Sequence, residues 1–278
     1  MGIGQAEAST SIPVRGINPK FLTPQDANDT WVEFLKRFQG VVPQAPSLSG
    51  FAFKVRLEKI PRRGKVIQRE GYLFGLWGDR GILRIQFPQR DKNATTSVLL
   101  LNGKEPKAWR FDTGDKQPRL LQNLDLFASL TEDVDYSAFD ALMPFVHWKN
   151  VSYRGSTRVI GRLAHLFDLY PPEEIKAVRP SLRFVRVAVD HAYKETLRVE
   201  VFGNRNLVER KFSVISFKKV SSNENPYWIV KIIDLMDLNS REKTRLRIVI
   251  EEGEDIGRTF STDQFSAENL AFPLDPFE

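Results

Sequence analysis

Apolar and polar positions change period along the chain. From Pro24 to Gln39 the spacing predicts a helix, with Trp31, Phe34, Leu35 and Phe38 on one face. Thr23 stands as its N-cap, Pro24 takes the first helical position where a missing N–H costs nothing, and Gly40 ends it. The period then drops to two. Over residues 51–58, Phe51, Phe53, Val55 and Leu57 point one way while Lys54, Arg56 and Glu58 point the other, the signature of a half-buried strand. Further strands are predicted at Val66–Trp77, Ile82–Phe87, Ser97–Leu101 and Lys107–Asp112, with Asn102-Gly103 as a strong hairpin signal. Strands joined by such short turns make an antiparallel meander.

Residues 118–148 interrupt this rhythm. Leu120, Leu121, Leu124, Leu126, Phe127 and Leu130 are spaced for a short helix, and Tyr136–Leu142 for another before Pro144. Strands resume at 151–155, 158–169, 182–190, 196–202, 211–220, 226–238 and 243–251, and Ser261–Leu270 reads as a short terminal helix. A sheet of about a dozen strands must curl, split or close, because twist accumulates across it. The helical insert has no linker composition on either side. The expectation is therefore one domain over 23–278, preceded by a flexible leader, 1–22, rich in Gly, Ser, Pro and Ala.

Composition narrows the chemistry. The 278 residues are 41% hydrophobic and 27% charged, which suits a folded globular chain and excludes wholesale disorder. No stretch approaches the roughly 18 uninterrupted apolar residues of a membrane-spanning helix. There are no cysteines, which removes disulfides, thiolate nucleophiles and cysteine–zinc sites, and suits an oxidising compartment. Only three histidines remain. His165 lies in a predicted strand on the face of Leu163, Phe167 and Leu169, as a core or cavity-wall imidazole; His147 beside Trp148 reads as packing, and His191 as a solvent-exposed turn residue. No Gly-x-Ser-x-Gly elbow or His-Glu-x-x-His pair is present, so no metal or cofactor is expected.

Other patterns have plain explanations. Gly71, Gly75, Gly78 and Gly81 precede no Gly-Lys-Ser/Thr and no helix, so relief of crowding in a curved hairpin accounts for them better than a phosphate loop. Acids such as Glu58, Asp168 and Asp234 are free to converge as the paired carboxylates of a polymer hydrolase, although nothing singles them out. Lys59, Arg62, Arg63, Lys65 and Arg69 form a basic loop, and the net charge is +6. The phenylalanines sit at inward-type positions rather than between these cations, so no nucleic-acid partner is expected.

The strands carry a surplus of apolar side chains. Either the sheet closes as a dry core, or it leaves a hollow for an apolar ligand. The residues nominated to line such a hollow are Phe53, Val55, Leu57, Leu83, Ile85, Leu99 and Trp109.

Several phrases point to a family. The run Trp148–Pro172 places Gly155 and then Gly161-Arg162 before a long strand ending at proline. The runs Val185–Asp190 and Leu197–Gly203 form a valine-rich hairpin, and Tyr227–Asp237 with Lys243–Ile248 forms a final pair. In this order they resemble outer-membrane lipoprotein-sorting proteins of the LolA/LolB-like superfamily. That resemblance implies a mainly β fold: one large curved antiparallel sheet, a half-barrel, with a few helices across its concave side as a lid. It also implies a periplasmic, non-enzymatic carrier, its presequence removed, that holds a lipid or lipoprotein acyl chain. Its partners would be an inner-membrane transporter as donor and an outer-membrane acceptor. Arg162 is then either a headgroup contact or the partner of a nearby acid. A ligand-free scaffold stays open beside the carrier and the hydrolase.

Overall fold

The computed structural model describes residues 21–36, 48–76, 79–89, 94–103, 105–131, 133–222, 225–250 and 257–276. Trp77, Gly78, Phe38 and the leader before Phe21 lie outside them. Contacts divide the chain into two compact units. One is built from the first helix and Phe145–Ser213, the other from the first strand through Pro144 and from Val214 onward.

In the second unit the meander is present as read. Strands β1 (Leu48–Ile60), β2 (Ile67–Leu76), β3 (Asp79–Pro88), β4 (Thr95–Leu101) and β5 (Lys107–Asp112) pair antiparallel in chain order. The two-residue β6 (Arg119–Leu120) follows at the edge. Glycines make the β1–β2–β3 stack possible: a Cβ on Gly75 would enter the Phe51 ring, and one on Gly71 would meet Phe87 and a β3 carbonyl. The nucleotide-loop pattern is thus a packing device.

The insert departs from expectation. In place of a helix near 120–130, a 3-10 turn at Asn123–Phe127 leads into a hairpin of β7 (Ser129–Thr131) and β8 (Val134–Ser137). Asn123 has φ +52, which breaks any continuous helix there. The second expected helix is α2, only Ala138–Leu142, closed at its start by a reciprocal Ser137–Asp140 capping box.

In the first unit, α1 (Pro24–Leu35) begins as expected, with the Thr23 hydroxyl accepting from Asp26 N. Strands β9 (Asn150–Val159), β10 (Arg162–Tyr170), β11 (Phe184–Asp190), β12 (Thr196–Phe202) and the start of β13 (Val208–Ser222) follow, with the short α3 (Glu173–Val178) between β10 and β11. The break between β9 and β10 is at Ile160-Gly161, not at residues 156–157. Both residues have positive φ, +50 and +77, and Val159 pairs Arg162, which is a two-residue hairpin matched to strand twist.

Strand β13 runs on into the second unit, where β14 (Asn225–Asp237) pairs β15 (Lys243–Val249) and β15 pairs β1. The strands form one antiparallel sheet, not closed into a barrel, from β6 at one end of the order to β9 at the other. The tail adds β16 (Gly257–Phe260), which pairs with the start of β1 and was not expected. The expected terminal helix is instead two 3-10 turns, Thr262–Phe265 and Glu268–Ala271. With most strand-forming residues in the sheet and three α-helices among the described residues, the class is mainly β, as read.

Candidate functional site

Register decides which nominated residues share a surface, because neighbours across a ladder project to the same side. Val55 pairs Gly71 and Ile248, Phe53 pairs Leu73, Leu73 pairs Ile85, and Gly75 pairs Leu83. Phe53, Val55, Leu57, Leu83 and Ile85 therefore lie on one face of the second unit's strands. Leu83 pairs Leu100, Ile85 pairs Val98, and Leu100 pairs Ala108, so Val98, Leu100 and Ala108 complete that face. Leu99 and Trp109 pair with each other and, through Arg84, with Phe74. They belong to the reverse face. The structure thus brings five of the seven nominated residues together and sets two apart.

The first face is largely covered, with Leu83 half-buried. Phe53, Val55 and Leu57 are at most 2% exposed, and Ile85 6%. Elements of the insert lie against it: β8 over β1, β2 and β15, β7 over β4, and α2 over β4 and β5. Polar contacts join this cover to the strands. Arg69 pairs with Asp133, Arg110 donates to the Ser129 carbonyl at 3.1 Å, and the Asn102 amide donates to the Leu142 carbonyl. Arg110 is in turn gripped by Asp112 at 2.7 Å. Burial pushes the Asp112 carboxyl up, but hydrogen bonds from Arg110 and Thr96 outweigh it and hold the group below its ordinary range.

The reverse face is covered by the tail. Leu48, Ala52, Phe74, Leu76, Ile82 and Leu99 form a core cluster with Phe260, Phe265 and Leu270. At its centre is Arg84, which sequence reading passed over. Its guanidinium is fully buried and donates to the carbonyls of Gln264 at 2.9 Å, Leu270 at 3.3 Å and Phe272. Burial alone lowers its pKa to about 10, so it remains a cation at neutral pH. Gln86 accepts from Leu274 N at 3.2 Å, and Arg258 donates to the Pro276 carbonyl. The only sequence signal was a polar Arg84-x-Gln86 alternation, which ordinarily marks a solvated face.

The first unit has its own apolar face. Trp31 of α1 packs against Phe34 and Phe167 with centroids about 5 Å apart and the rings tilted by 39°, and Phe167 meets Tyr153. His165 is fully buried, as read. His191 differs from its expected exposure: its Nδ1 lies 2.8 Å from His165 Nε2, and the turn draws it in because Asp190 accepts from Ala192 N and Tyr193 N. His147 is half-buried beside Trp148. Arg162 donates to Asp190 at 2.6 Å and lies 4.8 Å over the Tyr193 ring, so of its two readings the geometry contains the acid partner.

Each candidate acid faces a cation, Glu58 lying 3.9 Å from Arg247. Asp168 is clasped by Arg154 and Arg186, and Asp234 by Arg245 and Lys243. Burial pushes Asp234 up, but Arg245 and Lys243 hold it below the usual carboxylate range, opposite to what a general acid needs. Among the described residues no group of three or more potential ligands is placed to hold a metal.

No protein-family model matches this sequence, and no curated protein does either. Solved structures do. A DUF1329 family protein from Desulfovibrio piger superposes with a TM-score of 0.62 at 15% identity, covering 88% of this chain and 98% of the other. A putative outer membrane lipoprotein-sorting protein domain from Vibrio parahaemolyticus gives 0.63 at 13%, covering 87% and 97%. The fold is LolA-like. A LolA superfamily protein from Nitrosomonas europaea agrees, with a TM-score of 0.55 at 14% identity, covering 86% and 96%.

Proposed function

We propose that this protein is a non-enzymatic, periplasmic carrier that holds the acyl chain of a lipid or lipoprotein against the face of Phe53, Val55, Leu57, Leu83 and Ile85. One observation carries the reading: a continuous apolar sheet face lies under an insert of short elements, fastened by Arg69–Asp133, Arg110–Ser129 and Asn102–Leu142. With the insert seated, Phe53, Val55, Leu57 and Ile85 are buried and Leu83 is half-buried. Cargo would enter where the insert shifts and would replace its apolar contacts. Each buried methylene contributes about 0.8 kcal/mol, so one chain gives useful but reversible affinity. A donor at the inner membrane and an acceptor at the outer membrane belong to the same reading, as does one domain acting over residues 23–278.

The chain's lack of cysteine allows a direct test. Arg69→Cys and Asp133→Cys, joined by a short bis-maleimide, would tether the insert. Uptake of a fluorescent fatty acid is expected in the untethered protein and lost on tethering. Uptake unchanged by the tether would move the site elsewhere, and no uptake in either form, with no co-purified lipid by native mass spectrometry, would favour the ligand-free scaffold.

A further inference from the structure

Apart from Arg69, the basic loop singled out in the sequence is not used by the site above, and the fold gives it a neighbour. Strand β1 ends at Ile60, which pairs Lys243 at the start of β15. The β1–β2 tip (Pro61–Val66) and the β14–β15 tip (Leu238–Glu242) therefore emerge side by side from one end of the second unit's strands. Between them, residues 59–67 and 236–243 carry six cations, Lys59, Arg62, Arg63, Lys65, Arg241 and Lys243, against two carboxylates, Asp237 and Glu242. Both carboxylates are occupied. Glu242 pairs Lys59 at 3.1 Å, and Asp237 accepts from Asn239 N and Ser240 N within its own turn. Lys243 is drawn back to Asp234. Arg62, Arg63, Lys65 and Arg241 are exposed and have no ion pair among the described residues.

Apolar side chains stand exposed among these cations. Val66 is 49% exposed, Ile67 39%, Met236 38% and Leu238 37%. All four are aliphatic or thioether side chains, and neither tip carries an aromatic on which a base could stack. Cations mixed with exposed aliphatics suit an interface that is anionic at its surface and greasy just beneath.

We propose that the two adjacent hairpin tips dock this protein on an anionic phospholipid surface, the four unpaired cations meeting lipid phosphates and Val66, Ile67, Met236 and Leu238 entering the headgroup boundary. The docking does not depend on acyl-chain carriage: a carrier would load or unload there, and a scaffold would simply reside there.

Co-sedimentation of the full chain with phosphatidylglycerol–phosphatidylcholine vesicles, and with pure phosphatidylcholine vesicles, tests it. Binding is expected to the anionic vesicles alone and to weaken as salt is raised. The triple variant Arg62→Ser, Arg63→Ser, Lys65→Ser should lose about 100-fold in affinity, near fivefold per cation. Val66→Ser with Ile67→Ser should lose about tenfold. Circular dichroism should show all variants folded, since the substituted side chains are at the surface. Equal binding to neutral vesicles would overturn the proposal, as would wild-type affinity in the triple variant. So would competition by an oligonucleotide with no effect of the Val66/Ile67 pair, which would mark a general polyanion site. Fatty-acid uptake by the triple variant reads the carrier function separately and should stay at the wild-type level.

Discussion

The two faces of the β1–β5 meander hold their covers differently. On the face of Phe53, Val55 and Leu57, the contact area is hydrocarbon, and the ionic fastening Arg69–Asp133 is about a quarter exposed on both sides. On the reverse face a buried cation sits in the middle of the contact. Arg84 has no ion pair among the described residues, and the tail's carbonyls supply the compensation that desolvation demands. Removing the tail would strand a charge in an apolar surface, whereas lifting the insert would expose hydrocarbon and break one buried neutral hydrogen bond, Asn102–Leu142, besides partly solvated contacts. Where a cover must move, hydrocarbon under it is the cheaper choice. On the carrier reading proposed above, the insert would be the cover that moves and the tail the one that stays.

The comparison breaks most visibly at Arg84. Arg84→Met should cost about 3–5 kcal/mol, because the carbonyls of Gln264, Leu270 and Phe272 lose their donor while buried. Denaturant unfolding measures the loss, and limited proteolysis should show the segment after Phe260 cut first. Next comes Leu57→Ala, at about 2–4 kcal/mol for a fully buried leucine. It should also weaken fatty-acid binding, whereas Trp109→Ala, on the reverse face, should leave the probe's affinity near wild type. If Trp109→Ala weakens binding as much as Leu57→Ala does, the assignment of faces is wrong. Arg69→Met is expected to change stability by less than about 1 kcal/mol, yet to speed probe entry in stopped-flow measurements. Equal stability losses in Arg69→Met and Arg84→Met would erase the distinction between the covers.

How much of this was legible follows from what alternation can encode. In β1 the polar residues Lys54, Arg56 and Glu58 mark the reverse face, so Phe53, Val55 and Leu57 were grouped correctly. In β4 no such mark exists. Val98, Leu99 and Leu100 are all at most 2% exposed, because that strand is covered on both sides. A run buried on both faces carries no period, and its parity is set only by register with β3, which a single-residue slip reverses. That is why Leu99 was placed with Leu83 and Ile85 when Leu100 is their neighbour. Arg84 was missed for the converse reason: its polarity reads as outward, and only the tail, 180 residues further on at Gln264, makes it inward. The short turns were likewise hidden, since 3-10 segments at 123–127 and 262–271 share the spacing of a helix without its length. Phrases at Gly155, Gly161 and Arg162 located the fold although none of the nominated apolar lining residues lies among them, as expected when fold and site are separable.

The smallest expected effect concerns acid. His147 lies between the buried pair Phe145–Val146 and Trp148, and desolvation lowers its pKa below the ordinary 6.5. The folded state therefore prefers the neutral imidazole, and the unfolded chain binds the proton more readily. Stability from this group is fully present above pH 6.5 and is lost as pH falls through the lower folded value. Asp112, Asp190 and Asp234 act in a separate window. Their folded pKa values are below 3.8, so what they contribute is retained at mildly acid pH and disappears only further down. Melting temperature should hence show two acid-side slopes, and His147→Gln should flatten the upper one while leaving the lower in place. Because His147 belongs to neither cover, the difference in stability between Arg69→Met and Arg84→Met should persist unchanged across the upper window. A difference that shrinks as His147 charges would mean that the grip of one cover depends on this imidazole, and the two faces could no longer be compared as independent.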